Sequence, residues 1–207
     1  MQITIVGYGN IGAGLTKHLS KTGQQVVLTG RNVDKAAEVA ATYGVSAAPL
    51  NAAAANADVV ILAVPYPEVA NAVSSLGDLT GKVVIDPTNP LTADYMGLTI
   101  GFSSSAAEEI AKLVPGAKVV KAFNTLFAQV IDAGSDFQGT PASGFYAGDD
   151  AEAKAIVASL LSSLGYAPVD VGGLHNARYL EPLAGLNIYL GYGAGLGVQI
   201  APTWLKR

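Results

Sequence analysis

Three glycines at fixed spacing, Gly7, Gly9 and Gly12, carry the clearest chemical signal in this 207-residue chain, although none has a reactive side chain. They stand in Gly7-Tyr8-Gly9-Asn10-Ile11-Gly12, directly after a β-branched run ending at Val6 and before apolar residues at helical spacing over 13–21. In a strand–turn–helix each glycine has a task. Gly7 permits the tight turn, Gly9 lets a pyrophosphate approach the backbone, and Gly12 lets the helix lie close to the strand. The helix N-terminus then offers free N–H groups and the positive dipole end to phosphates. The hexapeptide therefore predicts a dinucleotide site held by Gly7, Tyr8, Gly9, Asn10, Ile11 and Gly12.

A second apolar run over 25–29 ends in Thr29-Gly30-Arg31-Asn32, with Lys35 one turn on. A site selective for NAD places Asp or Glu here, to bind the ribose 2′-hydroxyl. Arg31 suits a 2′-phosphate instead, because guanidinium forms bidentate, charge-assisted bonds. Such bonds contribute about 1.5–3 kcal/mol. The expected cofactor is NADP(H), with Thr29, Arg31, Asn32 and Lys35 at its adenosine end.

Other reactive groups are scarce. There is no Cys, which removes disulfides, thiolate nucleophiles and Cys-ligated metals. His18 and His175 are too few to suggest a metal site, and His18 is expected to be solvated. Asp149-Asp150 reads as a helix cap and Asp86 as a turn former before Pro87. No metal site, triad or buried acid–base pair is expected.

Elements alternate along the chain. Helices are expected over 32–42, 51–56, 68–76, 105–115 and 151–164, the fourth opened by the capping-box spacing Ser105-x-x-Glu108. Strands are expected over 58–64, 82–85, 117–120, 143–147 and 167–171. The run Val59-Val60-Ile61-Leu62 is continuously apolar, as suits a strand covered on both faces. The expected fold class is α/β, a Rossmann-type doubly wound, mainly parallel sheet with a C-terminal helical extension. Such a sheet binds its ligand at the carboxyl ends of strands beside strand one. That position would gather Ala63, Val64, Pro65, Tyr66, Pro87, Asn89 and Asn124 with the glycine turn. Tyr66 reads either as a cofactor contact or as a packed loop aromatic, and Asn124 either as a positioning amide or as a loop stabiliser.

Half the residues are hydrophobic, 14% are charged and the net charge is −4. These values suit a large core and argue against nucleic-acid binding. Strand one starts at the N-terminus, so a cytoplasmic protein without a signal peptide is expected. The chain reads as one domain over 1–207, with 174–207 a helical segment for dimerisation and the substrate pocket. Residues 182–205 carry no charge, which is long enough to span a bilayer. Asn187, Gln199, four alternating glycines and Pro202 argue against a span, as does having only Lys206 and Arg207 beyond it. The preferred reading is a buried helix whose glycines admit a second helix across a dimer two-fold.

With these motifs placed, the chain resembles the NADPH-dependent reductases of the deazaflavin coenzyme F420. The resemblance runs through the glycine hexapeptide, Thr29-Gly30-Arg31-Asn32, Ala63-Val64-Pro65, Asp86-Pro87-Thr88-Asn89-Pro90 and Ser103-Ser104-Ser105-Ala106-Ala107-Glu108. It continues through Ala147-Gly148-Asp149-Asp150 and the tail Asn176-Ala177-Arg178-Tyr179-Leu180-Glu181-Pro182-Leu183. It implies hydride exchange between NADP(H) and F420, and a homodimer whose C-terminal helix borders the deazaflavin pocket. Lys121-Ala122-Phe123-Asn124-Thr125 departs from this. It is more similar to the NADPH domain of six-transmembrane metalloreductases, which pass hydride to a flavin, so FMN or FAD stands beside F420 as acceptor. A non-enzymatic NADPH sensor is the alternative. An open, ring-sized cleft beside the nicotinamide would separate the two.

Overall fold

In the computed structural model, residues 1–204 are described. The sheet grows outward from β1 (Gln2–Val6), whose residues are buried from Ile3 onward. β2 (Gln25–Thr29) and β4 (Val59–Leu62) lie beside it in parallel. β3 (Ser46–Ala47) extends the β2 edge, and β5 (Val83–Asp86), β6 (Lys118–Ala122), β9 (Ser143–Gly148) and β10 (Ala167–Asp170) extend the other. The order is β10-β9-β6-β5-β4-β1-β2-β3. β7 (Asp136–Phe137) and β8 (Thr140–Pro141) form a separate hairpin.

The alternation of side chains along each strand divides the core into two apolar layers. Ile3, Ile5, Ile61 and Ile85 face one side. There they meet α1 (Asn10–Leu19), α2 (Val33–Thr42), α6 (Ala128–Ala133) and α7 (Ala151–Ser163). Val6, Val60, Leu62 and Val84 face the other side. That layer is covered by α4 (Val69–Ser75) and α5 (Ala106–Leu113), with Ala54 and Ala57 after α3 (Leu50–Ala53) and Ala177 at the start of α8 (Ala177–Ile188). Fully burying each large aliphatic side chain contributes about 1.5–3 kcal/mol. The sheet is thus doubly wound, and β1 lies at the switch point.

The sheet is mainly parallel, as expected, with β9 antiparallel to β6 and β10 following the direction of β9. α6 has six residues and spans about 9 Å, too short to carry the chain back along a strand of about 17 Å. β9 therefore enters at the end of the sheet where β6 left. The helix expected through the glycine run near the C-terminus is corrected: it ends within that run. α8 stops at Ile188, a π-turn covers Tyr189–Gly193, and Gly195 and Gly197 take positive φ. The chain then folds back, laying Val198, Ile200 and Ala201 on the core and Trp204 edge-on to Phe145. Among the described residues no helix is long and apolar enough to cross a membrane. Leu205, Lys206 and Arg207, the end of the expected helical segment, lie outside the described residues.

Candidate active site

The glycine turn is fixed by close approach. Gly7 has φ +113°, and a Cβ there would lie 2.1 Å from the Ala63 carbonyl oxygen. A Cβ on Gly12 would lie 1.8 Å from the Gly7 carbonyl oxygen. Gly9 differs, with no atom within 4 Å of the Cβ position. Its missing side chain leaves open space over the first turn of α1, where no side chain caps the helix. That is the surface a pyrophosphate requires.

Three cavities follow one another across the carboxyl end of the sheet. The central crevice, about 600 Å³, runs between Gly9-Asn10-Ile11 and the two loops that carry Val64-Pro65-Tyr66 and Pro87-Thr88-Asn89. Val64 and Pro65 also wall a smaller cavity of about 270 Å³ beside Gly30, Arg31 and Glu68. At the far end, Asn89, Tyr95 and Ala128 are shared with a third cavity of about 490 Å³. Its other walls include Asn124, Phe127, Ala184, Ile188 and Tyr192.

The expected contacts divide accordingly. Asn10, Ile11, Ala63, Val64, Pro65, Tyr66, Pro87 and Asn89 line the crevice. Tyr8 lies over Gly30, where a Cβ would come within 2.5 Å of its ring. Arg31 is 82% exposed at the mouth of the small cavity, and among the described residues only Glu68, at 3.4 Å, holds it. Lys35 is exposed one turn into α2. The Asn32 side chain caps α2, its Oδ1 accepting from the Lys35 amide at 3.0 Å. Thr29 is corrected as a side-chain contact: it is fully buried, and its hydroxyl donates to the Ala48 carbonyl. His18 is half-buried rather than solvated, with Nε2 at 3.0 Å from the Asp132 carbonyl oxygen. Of the acidic pair, Asp150 caps α7, whereas Asp149 accepts from the Leu174 amide.

Asn124 follows a strained residue. Phe123 has φ +65°, an uncommon region for an aromatic residue, and is held there by burial and an edge contact with Tyr166. The Asn124 Nδ2 donates to Asn89 Oδ1 at 3.0 Å and to the Leu180 carbonyl at 3.0 Å. Asn89 Nδ2 returns a bond to the Asn124 carbonyl. Both Asn124 donors face protein oxygens, while among the described residues its Oδ1 is a buried acceptor without a partner, as is Oγ1 of the crevice-lining Thr88. Burial holds the Tyr66 phenol above its ordinary value, and the carboxylates of Glu109, Glu181 and Asp86 add to the shift. Tyr66 therefore stays a neutral donor at physiological pH.

The expectation of no buried acid–base pair is corrected. Lys121 is fully buried, and its Nζ donates to Asp86 Oδ2 at 2.8 Å, Glu181 Oε1 at 2.8 Å and the Thr88 carbonyl. Asp86 does act as a turn former, accepting from the Thr88 amide at 2.8 Å, but it also pairs with Lys121. Glu181 accepts from the first two amides of α5, Ala106 and Ala107. The capping box is only half formed. Ser105 Oγ accepts from the Glu108 amide, while the Glu108 carboxylate takes Arg178 Nε at 2.9 Å and Nη2 at 2.6 Å. The polar residues of the tail motif thus dock α8 beside the third cavity.

The family model described as NADP oxidoreductase coenzyme F420-dependent matches residues 2–90. The chain is 30% identical to the F420-dependent NADP reductase of Methanothermobacter thermautotrophicus, over 92% of this chain and 89% of that one. It is 29% identical to Metalloreductase STEAP3 of Rattus norvegicus over 88% of its own length, but spans only 36% of that longer protein. A crystal structure of a putative F420-dependent NADP reductase from Arthrobacter sp. FB24 superposes with a TM-score of 0.90 at 30% identity, covering both chains fully.

Proposed function

The chain belongs to the family of coenzyme F420-dependent NADP oxidoreductases, and on that premise we propose that it exchanges hydride between NADP(H) and a deazaflavin or flavin ring seated in the cavity beside Asn124. It is an NADP-dependent oxidoreductase, as its relatives are. The observation that carries the acceptor site is the open cavity of about 490 Å³ that shares Asn89, Tyr95 and Ala128 with the crevice. A sensor would not need that second opening.

The residues present fit the cofactor. Gly9 leaves space at a helix start without a side-chain cap, and two buried polar atoms, Thr88 Oγ1 and Asn124 Oδ1, lack partners among the described residues. Arg31 and Lys35 would take the 2′-phosphate, Gly9-Asn10-Ile11 the pyrophosphate, and Val64-Pro65-Tyr66 with Asn89 the nicotinamide half. NADP(H), when bound, supplies or accepts the hydride. The protein orients the two rings and excludes water, and these effects suffice when the cofactor carries the chemistry. Pro65, Pro67 and Pro87 stiffen the loops that do so. F420 is the acceptor named for the archaeal relative, and FMN and FAD are the flavins to set against it.

Anaerobic NADPH oxidation with F420, FMN and FAD offered separately tests this reading. Turnover with one of them supports it. Tight NADPH binding without turnover on any of the three would leave the sensor.

We assign a second copy of the chain to the exposed stripe Tyr179, Pro182 and Leu186 on α8 and Tyr189 directly after it, whose spacing places them on one helix face. Sedimentation equilibrium checks this homodimer, and a monomer at micromolar concentration would contradict it.

A further inference from the structure

Lys121 is among the largest fully buried side chains of the described protein, yet it lines neither the crevice nor the third cavity. Its partners are what connect it to them. The Thr88 carbonyl that it holds precedes Asn89, which borders both cavities. The Glu181 carboxylate that it holds follows Leu180, whose carbonyl accepts from Asn124. Asn124 lies three residues beyond Lys121, and its Nδ2 bonds to Asn89 and Leu180. Two three-way clamps therefore stand side by side at the end of β6. Each ties the loop after β5 to α8, one through an ammonium and one through an amide.

A buried ion cluster is a poor way to gain stability, because desolvation offsets the Coulomb attraction and apolar replacements are often neutral or better. What such a cluster can supply is fixed geometry. Here the ammonium sets the separation between the Thr88-Asn89 loop and α8, and Asn89 and α8 both contribute to the wall of the acceptor cavity. Glu181 carries the same restraint into the first turn of α5.

We propose that Lys121, through Thr88 and Glu181, is a positioning residue for hydride transfer: it holds the Asn89–Asn124 amide pair and α8 at the spacing in which acceptor and nicotinamide rings stack. This rests on the functional reading above. It adds that a residue touching neither ring controls the chemical step.

The test compares Glu181→Gln with Glu108→Gln in the full-length protein. Glu181→Gln keeps shape but weakens the Lys121 clamp. Glu108→Gln loosens the other α5–α8 tie, to Arg178, and leaves the clamp whole. In Glu181→Gln, kcat for the acceptor is expected to fall about tenfold or more, since small misplacements of reacting groups are costly. NADPH Kd should stay within about twofold, a change of less than 0.5 kcal/mol, and the primary deuterium isotope effect from 4-deuterated NADPH should rise. Glu108→Gln should leave kcat and the isotope effect as in the parent. Equal losses in the two variants would overturn the proposal, reducing the cluster to general docking of α8. A fall in Glu181→Gln matched by an equal loss of NADPH affinity would also overturn it. If the parent turns over none of the flavin-type acceptors, the functional reading fails instead. Amide hydrogen exchange then tests the clamp alone: Glu181→Gln should speed exchange at both 87–91 and 122–126, and faster exchange confined to α5 and α8 would overturn it.

Discussion

Asp86 and Lys121 stand opposite each other on the last paired rung of β5 and β6, and the Lys121 ammonium reaches the Asp86 carboxylate at 2.8 Å with both side chains fully buried. With Glu181 the cluster holds one cation and two carboxylates. Replacing the cation is therefore the more damaging change. Lys121→Met leaves two carboxylates buried together, and loss of one partner from a buried pair costs about 3–5 kcal/mol. Asp86→Asn keeps the volume, the acceptor for the Thr88 amide and the Lys121–Glu181 pair, so about 1–2 kcal/mol is expected. Urea unfolding of both variants measures the order, and a larger loss for Asp86→Asn would contradict the geometry.

Gly9 and Gly12 should respond differently to the same added methyl. Gly9→Ala meets no protein atom, so the melting temperature should stay near the parent value while NADPH affinity drops about tenfold or more, as the backbone approach closes. Gly12→Ala would press on the Gly7 carbonyl and should impair folding itself. Calorimetry and NADPH titration separate the two. Unchanged NADPH affinity in Gly9→Ala would remove the pyrophosphate from this turn.

Arg31 is exposed and only loosely held by Glu68, so its loss should hardly affect stability. Arg31→Ala is expected to weaken NADPH binding about 10- to 100-fold, the worth of a charge-assisted contact, and to change NADH binding little. Fluorescence titration with both nucleotides measures this. Equal losses would take Arg31 away from the 2′-phosphate.

The Arg178–Glu108 bond makes a pH-dependent tie between α8 and α5. The hydrogen bonds from Arg178 are the main cause that holds the Glu108 carboxyl below its ordinary value of 4.5. A depressed folded value means that the unfolded chain takes up the proton first as pH falls. The stability from this bond is complete above 4.5 and is lost as pH falls through the lower folded value. The stability gap between the parent and Arg178→Met should therefore be widest near neutrality and shrink as pH drops below 4.5. Denaturant titrations across acid pH read the gap, and a gap that widened with acid would reverse the sign.

The glycine turn was legible because local sterics impose each glycine, and the central strands because runs such as Val59-Val60-Ile61-Leu62 suit only a doubly covered sheet. The Lys121 cluster was not read, since its members lie 35 and 60 residues apart and meet only in the folded chain. A signal did exist: Lys121 stands inside an apolar strand and Asp86 ends another, where a buried charge needs a partner. The direction of β9 was hidden, because it depends on how far α6 can carry the chain. The glycines at 191–197 suit either close helix packing or turns, and the positive φ of Gly195 and Gly197 selects turns.

The seat of the acceptor ring can be tested by filling it. Ile188 is half-buried in the wall of the third cavity and does not line the crevice. NADPH affinity and anaerobic hydride-transfer rate should be measured together in Ile188→Trp, with the acceptor that the parent uses. NADPH binding should persist while transfer falls about a hundredfold as the rings lose alignment. Transfer at the parental rate with the cavity filled would place the acceptor elsewhere.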